Sequence, residues 1–232
     1  YKQLNANTLQ IENEFYSTVR PKQITNSCEK PTLALKYRGV RYIEIRSLDL
    51  DLFNPIGIDE SKGRFLEAFL LNCLLHPSPK YSGQEQQINN SNQLSVAHTG
   101  RKPELELNKD GQQILLSTWA NEILQSMQEI CKILDEGKTD NAYTDALLQQ
   151  IKIANNPELS PSAKILHGMR TNNQAFGCFG LNTSEQHKQY FKQNKLDSST
   201  TQQFDQMAVV SHAKQQEIEA NDKLSFDTFL QQ

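Results

Sequence analysis

Two segments of this chain alternate with the period of a β-strand, and from about residue 60 onward the period is that of a helix. Leu9 to Val19 (LQIENEFYSTV) and Val40 to Leu50 (VRYIEIRSLDL) are rich in Ile, Val, Tyr and Phe and predict two strands. Between them Pro21, Ser27, Pro31 and Gly39 mark a connecting loop, with room for a short helical turn over Thr32 to Tyr37. Two strands joined this way predict an antiparallel pair, and an isolated pair is barely stable in water. The later sequence shows no comparable alternation apart from a possible short strand at Glu104 to Leu107. The fold class expected is therefore α+β: a partial sheet over residues 1–59 and a mainly helical region over 60–232.

The helical candidates follow from apolar spacing and caps. Asp59 or Ser61 caps a helix running to Leu75, with Phe65, Leu66, Phe69, Leu70 and Cys73 on one face. Further helices are expected over Gln112 to Asp135, Ala142 to Ala154, Pro161 to Arg170, Glu185 to Gln193 and Gln202 to Ala220, the last capped at Ser199 or Thr200. Pro77 to Ser95 is polar and rich in Ser, Asn and Gln, and predicts a long loop. Trp119, in register with Leu115, Leu116 and Ile123, is expected in the core. Lys214 to Lys223 is expected to be a solvated helix face.

Composition excludes several classes. Apolar residues make up 37% of the chain, and 43 Asn and Gln fill the deficit without adding charge, so the net charge stays at -3. A disordered chain that repels itself and a basic nucleic-acid binder both need stronger charge. No run of about 18 apolar residues exists for a membrane helix. The four cysteines show neither CxxC spacing nor a zinc-type pattern with histidine. Free thiols in a reducing cytoplasm are the expectation. His76, His98, His167, His187 and His212 stand in no recognisable motif. The chain opens on Tyr1 rather than Met, which predicts a processed chain or a piece of something longer.

The strands place candidate chemistry. Alternation puts Tyr42, Glu44 and Arg46 on one face of the second strand and Ile43 and Ile45 on the other. The first strand likewise sets Glu12, Glu14 and Tyr16 on one face. Such a face is either ordinary solvated sheet or the lining of a site. A Glu two residues from an Arg puts a hard oxygen ligand beside a guanidinium fork, and that pair suits Mg²⁺ and phosphate oxygens together.

Beyond this general chemistry, particular segments resemble a known family. Leu9 to Lys22 (LQIENEFYSTVRPK), Glu29 to Leu35 (EKPTLAL), Arg38 to Asp59 (RGVRYIEIRSLDLDLFNPIGID), Gly100 to Pro103 (GRKP) and Ser162 to Leu166 (SAKIL) resemble bacterial glutamate–cysteine ligase. The resemblance is strong over the first 60 residues and patchy through the helices. Members of that family are about twice as long, so it implies a C-terminal portion, inactive by itself, with the N-terminal half absent.

The resemblance also implies a glutamine-synthetase-like active-site sheet. It implies a reaction in which ATP activates the γ-carboxylate of L-glutamate as an acyl phosphate and the amine of L-cysteine displaces phosphate. This is the first step of glutathione biosynthesis. On this reading Glu44 is a Mg²⁺ ligand and Arg46 faces the ATP γ-phosphate and the acyl phosphate. Tyr16 contacts the carboxylate of cysteine, and Arg20 is a phosphate or carboxylate contact. Glu12 and Glu14 take supporting positions. Two other classes stand beside it: an amide-forming ligase of the same superfamily with another amine acceptor, and a non-catalytic assembly module.

Overall fold

The computed structural model describes residue 6, residues 16–80 and residues 82–231, and the architecture is α+β. Strand β1 (Val19–Lys22) pairs antiparallel with β2 (Tyr42–Ile45), in the register Val19↔Ile45, Arg20↔Glu44, Pro21↔Ile43 and Lys22↔Tyr42. Most of the expected first strand, from Leu9 to Phe15, lies outside the described residues. What is described continues past its expected end, through Pro21. Proline is tolerated there because the pair has only edge strands. β2 is shorter than expected and stops at Ile45. From there the chain turns, with the Asp51 N–H bonded to the Gly57 carbonyl at 2.8 Å.

Helix α1 (Pro31–Arg38) replaces the expected helical turn and lies against β1, burying Ala34 completely. It ends at Gly39, whose φ of +74° is open to glycine without strain. Arg38 binds Glu29 with both guanidinium nitrogens, at 2.7 and 2.6 Å, and the Arg38 fork holds the Glu29 carboxyl down to about 2.

The helical interior lies among α2 (Glu60–Leu75), α4 (Leu116–Ser126), α5 (Gln128–Asp135) and α6 (Ala142–Asn155). Asp59 caps α2 by accepting the Lys62 N–H at 2.7 Å. Ala68, Leu124, Met127, Cys131, Tyr143 and Leu147 form the buried cluster, with Phe65 and Phe69 stacked beside it one helical turn apart. Burial, assisted by Asp135, pushes the Cys131 thiol up, which fits an inert core thiol.

Asp135 ends α5 and caps α6 from outside it. Its carboxylate accepts the N–H groups of Tyr143 and Thr144, both at 2.9 Å, and the Thr144 hydroxyl at 2.7 Å. Burial opposes the charge, but the Thr144 hydroxyl and the two N–H groups outweigh it and hold the carboxyl below its ordinary value. Asp135→Asn should therefore cost about 1–2 kcal/mol, measured by chemical denaturation at pH 7. A depressed folded value means that the contribution is present above the unfolded value near 3.9 and is lost as pH falls through the folded one. The two proteins should thus converge in stability once the pH has fallen below that folded value.

Two expected elements are overturned. The stretch expected as a loop from Pro77 to Ser95 is mostly helix α3 (Gly83–Thr99). Ser82 accepts the Glu85 N–H at 3.2 Å while the Glu85 carboxylate accepts the Ser82 N–H at 2.7 Å, a reciprocal cap. Asn92 then grips the backbone of Asn108 through both amide atoms, at 2.7 and 3.0 Å, and seats this polar helix on the strand beside it.

The long helix expected over Gln112 to Asp135 is instead strand β4 (Gln112–Leu115) followed by α4 and α5. β4 pairs with β3 (Glu106–Lys109) as a second hairpin, turning at Asp110 (φ +53°) and Gly111 (φ +86°). Asp-Gly with both residues at positive φ is the tight hairpin turn. Trp119, expected in the core, is half-buried with the Lys109 ammonium 5.8 Å from its ring centroid.

Beyond a 3-10 turn at Pro157–Leu159, helices α7 (Pro161–Thr171), α8 (Phe176–Gln193), α9 (Ser198–Asn221) and α10 (Phe226–Phe229) complete the chain. The expected α7 is present and the expected Glu185–Gln193 is the second half of α8. The cap of α9 is Asp197, not Ser199 or Thr200, accepting the Thr200 N–H at 2.9 Å. Every residue of α9 except Thr200 is exposed, including the expected solvated stretch from Lys214. All four cysteines are free thiols.

Candidate active site

The register of β1 and β2 places Arg20 directly opposite Glu44 and Lys22 opposite Tyr42. Directly opposed residues of an antiparallel pair share a face, and so do residues two apart on one strand. Arg20, Lys22, Tyr42 and Glu44 therefore share one face. The pairing continues one step past β2, where the Arg46 N–H donates to the Thr18 carbonyl at 2.8 Å and carries Arg46 onto that face. Val19, Pro21, Ile43 and Ile45 form the other face.

Glu44 lies at the centre of the polar face. Arg46 reaches its Oε1 at 2.8 Å, and the Lys22 ammonium lies 3.3 Å from its Oε2. The Arg46 guanidinium holds the Glu44 carboxyl below its ordinary range, against the opposing effect of burial and with help from Lys22. Glu44 is thus an anion at neutral pH. Tyr16 lies over the same group, its ring centroid 4.8 Å from the Arg46 guanidinium carbon and 5.7 Å from that of Arg20. Each such contact at an exposed site contributes about 0.5–1 kcal/mol. Tyr16 is otherwise open to solvent. Among the described residues of this face three cations meet one carboxylate, so the face favours anions.

One atom stands out. Among the described residues, Glu44 Oε2 is screened from water yet accepts no well-formed hydrogen bond, although the Lys22 ammonium lies 3.3 Å away. The Lys22 ammonium offsets part of the cost of shielding this oxygen, and its lone pairs can take a further positive partner. That fits a hard cation beside it. Among the described residues no three His, Cys, Asp or Glu side chains gather around such a point, so Glu44 would be one ligand of a larger set. Glu12 and Glu14 lie outside the described residues.

The four residues singled out in sequence, Tyr16, Arg20, Glu44 and Arg46, are thus brought together. Lys22 joins them unannounced, although its place two residues after Arg20 signalled the shared face.

Comparison with known proteins bears on this face directly. The family model described as glutamate–cysteine ligase matches residues 1–96, which hold every one of these side chains. A glutamate–cysteine ligase of Pseudomonas paraeruginosa is 42% identical over 228 residues, covering 98% of this chain, and one of Azotobacter vinelandii is 43% identical over 229. The chain belongs to the glutamate–cysteine ligase family.

It spans about 43% of the length of these relatives. The fold agrees with that of a crystal structure of glutamate–cysteine ligase from Francisella tularensis in complex with AMP. The TM-score is 0.84 at 36% identity, covering 97% of this chain and 44% of that one. The helical region from α2 onward is therefore as much a part of the glutamate–cysteine ligase fold as the strand pair.

Proposed function

We propose that this chain contributes part of the active site of an ATP-dependent ligase that joins the γ-carboxylate of L-glutamate to the amine of L-cysteine. The observation that carries this reading is the cationic face around Glu44, carried on segments matched by the family model. The AMP bound by the Francisella relative supports a nucleotide as co-substrate.

In the reaction a γ-carboxylate oxygen attacks the terminal phosphorus of ATP and ADP departs, leaving γ-glutamyl phosphate. The cysteine nitrogen then attacks the acyl carbon, the C–O bond to phosphate breaks with its electron pair, and the amine loses a proton. Both steps crowd negative charge at one point, and catalysis is chiefly a matter of position and charge neutralisation.

On this reading Arg46 offers its planar fork to the transferred phosphoryl oxygens, already aligned by Glu44 and Tyr16. Arg20 lies opposite and holds a second anionic oxygen, a phosphate or a carboxylate. The Tyr16 hydroxyl, free in solvent, donates to the carboxylate of cysteine. Glu44 Oε2 would hold Mg²⁺, whose chemistry is to neutralise phosphate oxygens. Among the described residues no helix is long and apolar enough to cross a membrane, and four free thiols accord with a reaction carried out in the cytoplasm.

The test is a product assay on the complete gene product with ATP, glutamate and either cysteine or ammonia. The expected result is γ-glutamylcysteine with cysteine and little amide with ammonia. In Glu44→Ala, turnover should fall and the magnesium needed for half-maximal rate should rise together. Wild-type magnesium dependence in that variant would refute the metal role, and preference for ammonia would refute the choice of amine.

A further inference from the structure

Lys62 joins two parts of the molecule that otherwise barely meet. β1 and β2 pair with each other and β1 rests on α1, but neither strand makes a substantial contact with α2 or any later helix among the described residues. The ion pairs of the strand region, Lys22–Glu44, Arg38–Glu29 and Arg46–Glu44, all close within it. The position of the Glu44–Arg46 face relative to the helical interior therefore depends on the connection from Arg46 to α2.

That connection is ordered by its own hydrogen bonds. Asp51 N–H donates to the Gly57 carbonyl at 2.8 Å, Asn54 N–H to the Asp51 carbonyl at 3.1 Å, and Gly57 N–H to the Asn54 carbonyl at 2.9 Å. The Asp51 carboxylate accepts the Phe53 N–H at 2.9 Å. The loop is thus a closed knot between Asp51 and Gly57. The Lys62 ammonium fastens it down by donating to Asp51 Oδ2 and Asp59 Oδ2, each at 2.5 Å.

The joint is partly dehydrated, with the Lys62 side chain 23% exposed and that of Asp51 11%. Ion pairs so placed are worth more than open surface pairs, and removing one partner costs more than the pair contributes, because the remaining charges stay unpaired. Here two carboxylates would be left facing each other. Asp51 follows Arg46 by five positions, a span of at most about 17 Å, so release of Asp51 loosens the whole approach to Arg46. The two sequence segments that meet here, Arg38 to Asp59 and the start of α2, contain no group assigned to the chemistry other than Glu44 and Arg46.

We infer that Lys62 is a positioning residue, which holds Glu44 and Arg46 at their working distance from the rest of the enzyme by tying Asp51 to the start of α2. The inference rests on the metal and phosphate roles given to Glu44 and Arg46.

The test compares wild type, Lys62→Met, Lys62→Arg and Glu44→Gln in the complete gene product, with magnesium titrated at saturating ATP, glutamate and cysteine. Lys62→Met should lower kcat about 10- to 100-fold, the scale of a misplacement near 1 Å, and raise the magnesium needed for half-maximal rate several-fold. A mere loss of folded protein lowers kcat alone. Lys62→Arg, which keeps the charge and both contacts, should restore both quantities to within about twofold.

Wild-type magnesium dependence in Lys62→Met, or a Lys62→Arg enzyme as damaged as Lys62→Met, overturns the inference. If Glu44→Gln leaves magnesium dependence unchanged, it is the metal reading of Glu44 that fails. Should Lys62→Met not fold, Asp51→Asn loosens the same joint and carries the same comparison.

Discussion

Arg46→Lys is expected to lower turnover of the complete enzyme by about 10³-fold, the lower end of what a phosphate-facing arginine would supply, and to leave its stability within about 0.5 kcal/mol of wild type. The catalytic loss follows from shape. Arg46 makes two contacts at once, a 2.8 Å ion pair with Glu44 and a face-on approach to the Tyr16 ring at 4.8 Å. A guanidinium can do both because it is flat, and it still presents further N–H groups to a phosphoryl oxygen pair. An ammonium is a point charge with a tight water shell and can satisfy only one of these partners at a time.

The small effect on stability follows from exposure. The Arg46 side chain is 39% accessible, and solvated ion pairs contribute little. Steady-state turnover with ATP, glutamate and cysteine, beside a thermal melt, measures both halves of the expectation. Near wild-type turnover in Arg46→Lys would remove the phosphate role from Arg46.

Met127→Ala should destabilise the protein by about 2–5 kcal/mol, the largest stability effect expected of any single change discussed above. Met127 is fully buried and sits at the break between α4 and α5, where its backbone ends one helix and begins the next. Its flexible thioether fills the space left among Ala68, Leu124, Cys131, Tyr143 and Leu147. Truncation loses the transfer free energy of the side chain and leaves a cavity that four helices cannot close without losing contacts elsewhere. Leu148→Ala is the control, since Leu148 lies on the neighbouring helix but is 46% exposed, and it should cost less than about 1 kcal/mol. Urea denaturation midpoints compare the two. A loss below about 1 kcal/mol in Met127→Ala would mean that the helical interior is not centred at this break.

The polar face of β2 was legible in sequence because alternation is a property of extended backbone: Tyr42, Glu44 and Arg46 must share a side wherever the strand lies. The start of α2 was legible for a similar reason, since Asp59 satisfies an N–H group only three residues away. Local signals were also missed. Ser82 and Glu85 stand at capping-box spacing, and Asp110-Gly111 is a strong hairpin dipeptide. In the first case the density of Asn and Gln outweighed the cap; in the second the apolar run of the following helix absorbed the strand. Asn92 shows why the amide-rich segment defied its composition. A helix with little apolar surface stays seated when one side chain satisfies both backbone groups of a residue 16 positions away.

The sequence alone therefore determined which side chains share a face, where helices α2, α6 and α7 begin, and which family the segments resemble. All of these depend on atoms a few bonds or one helical turn apart. Only the tertiary structure decided that Arg20 stands opposite Glu44, that Lys22 closes on the same carboxylate, and that Lys62 ties the strand region to α2. Each of those contacts joins residues whose separation is set by strand register or loop closure, and these are settled by the packing of the whole chain rather than by local preference.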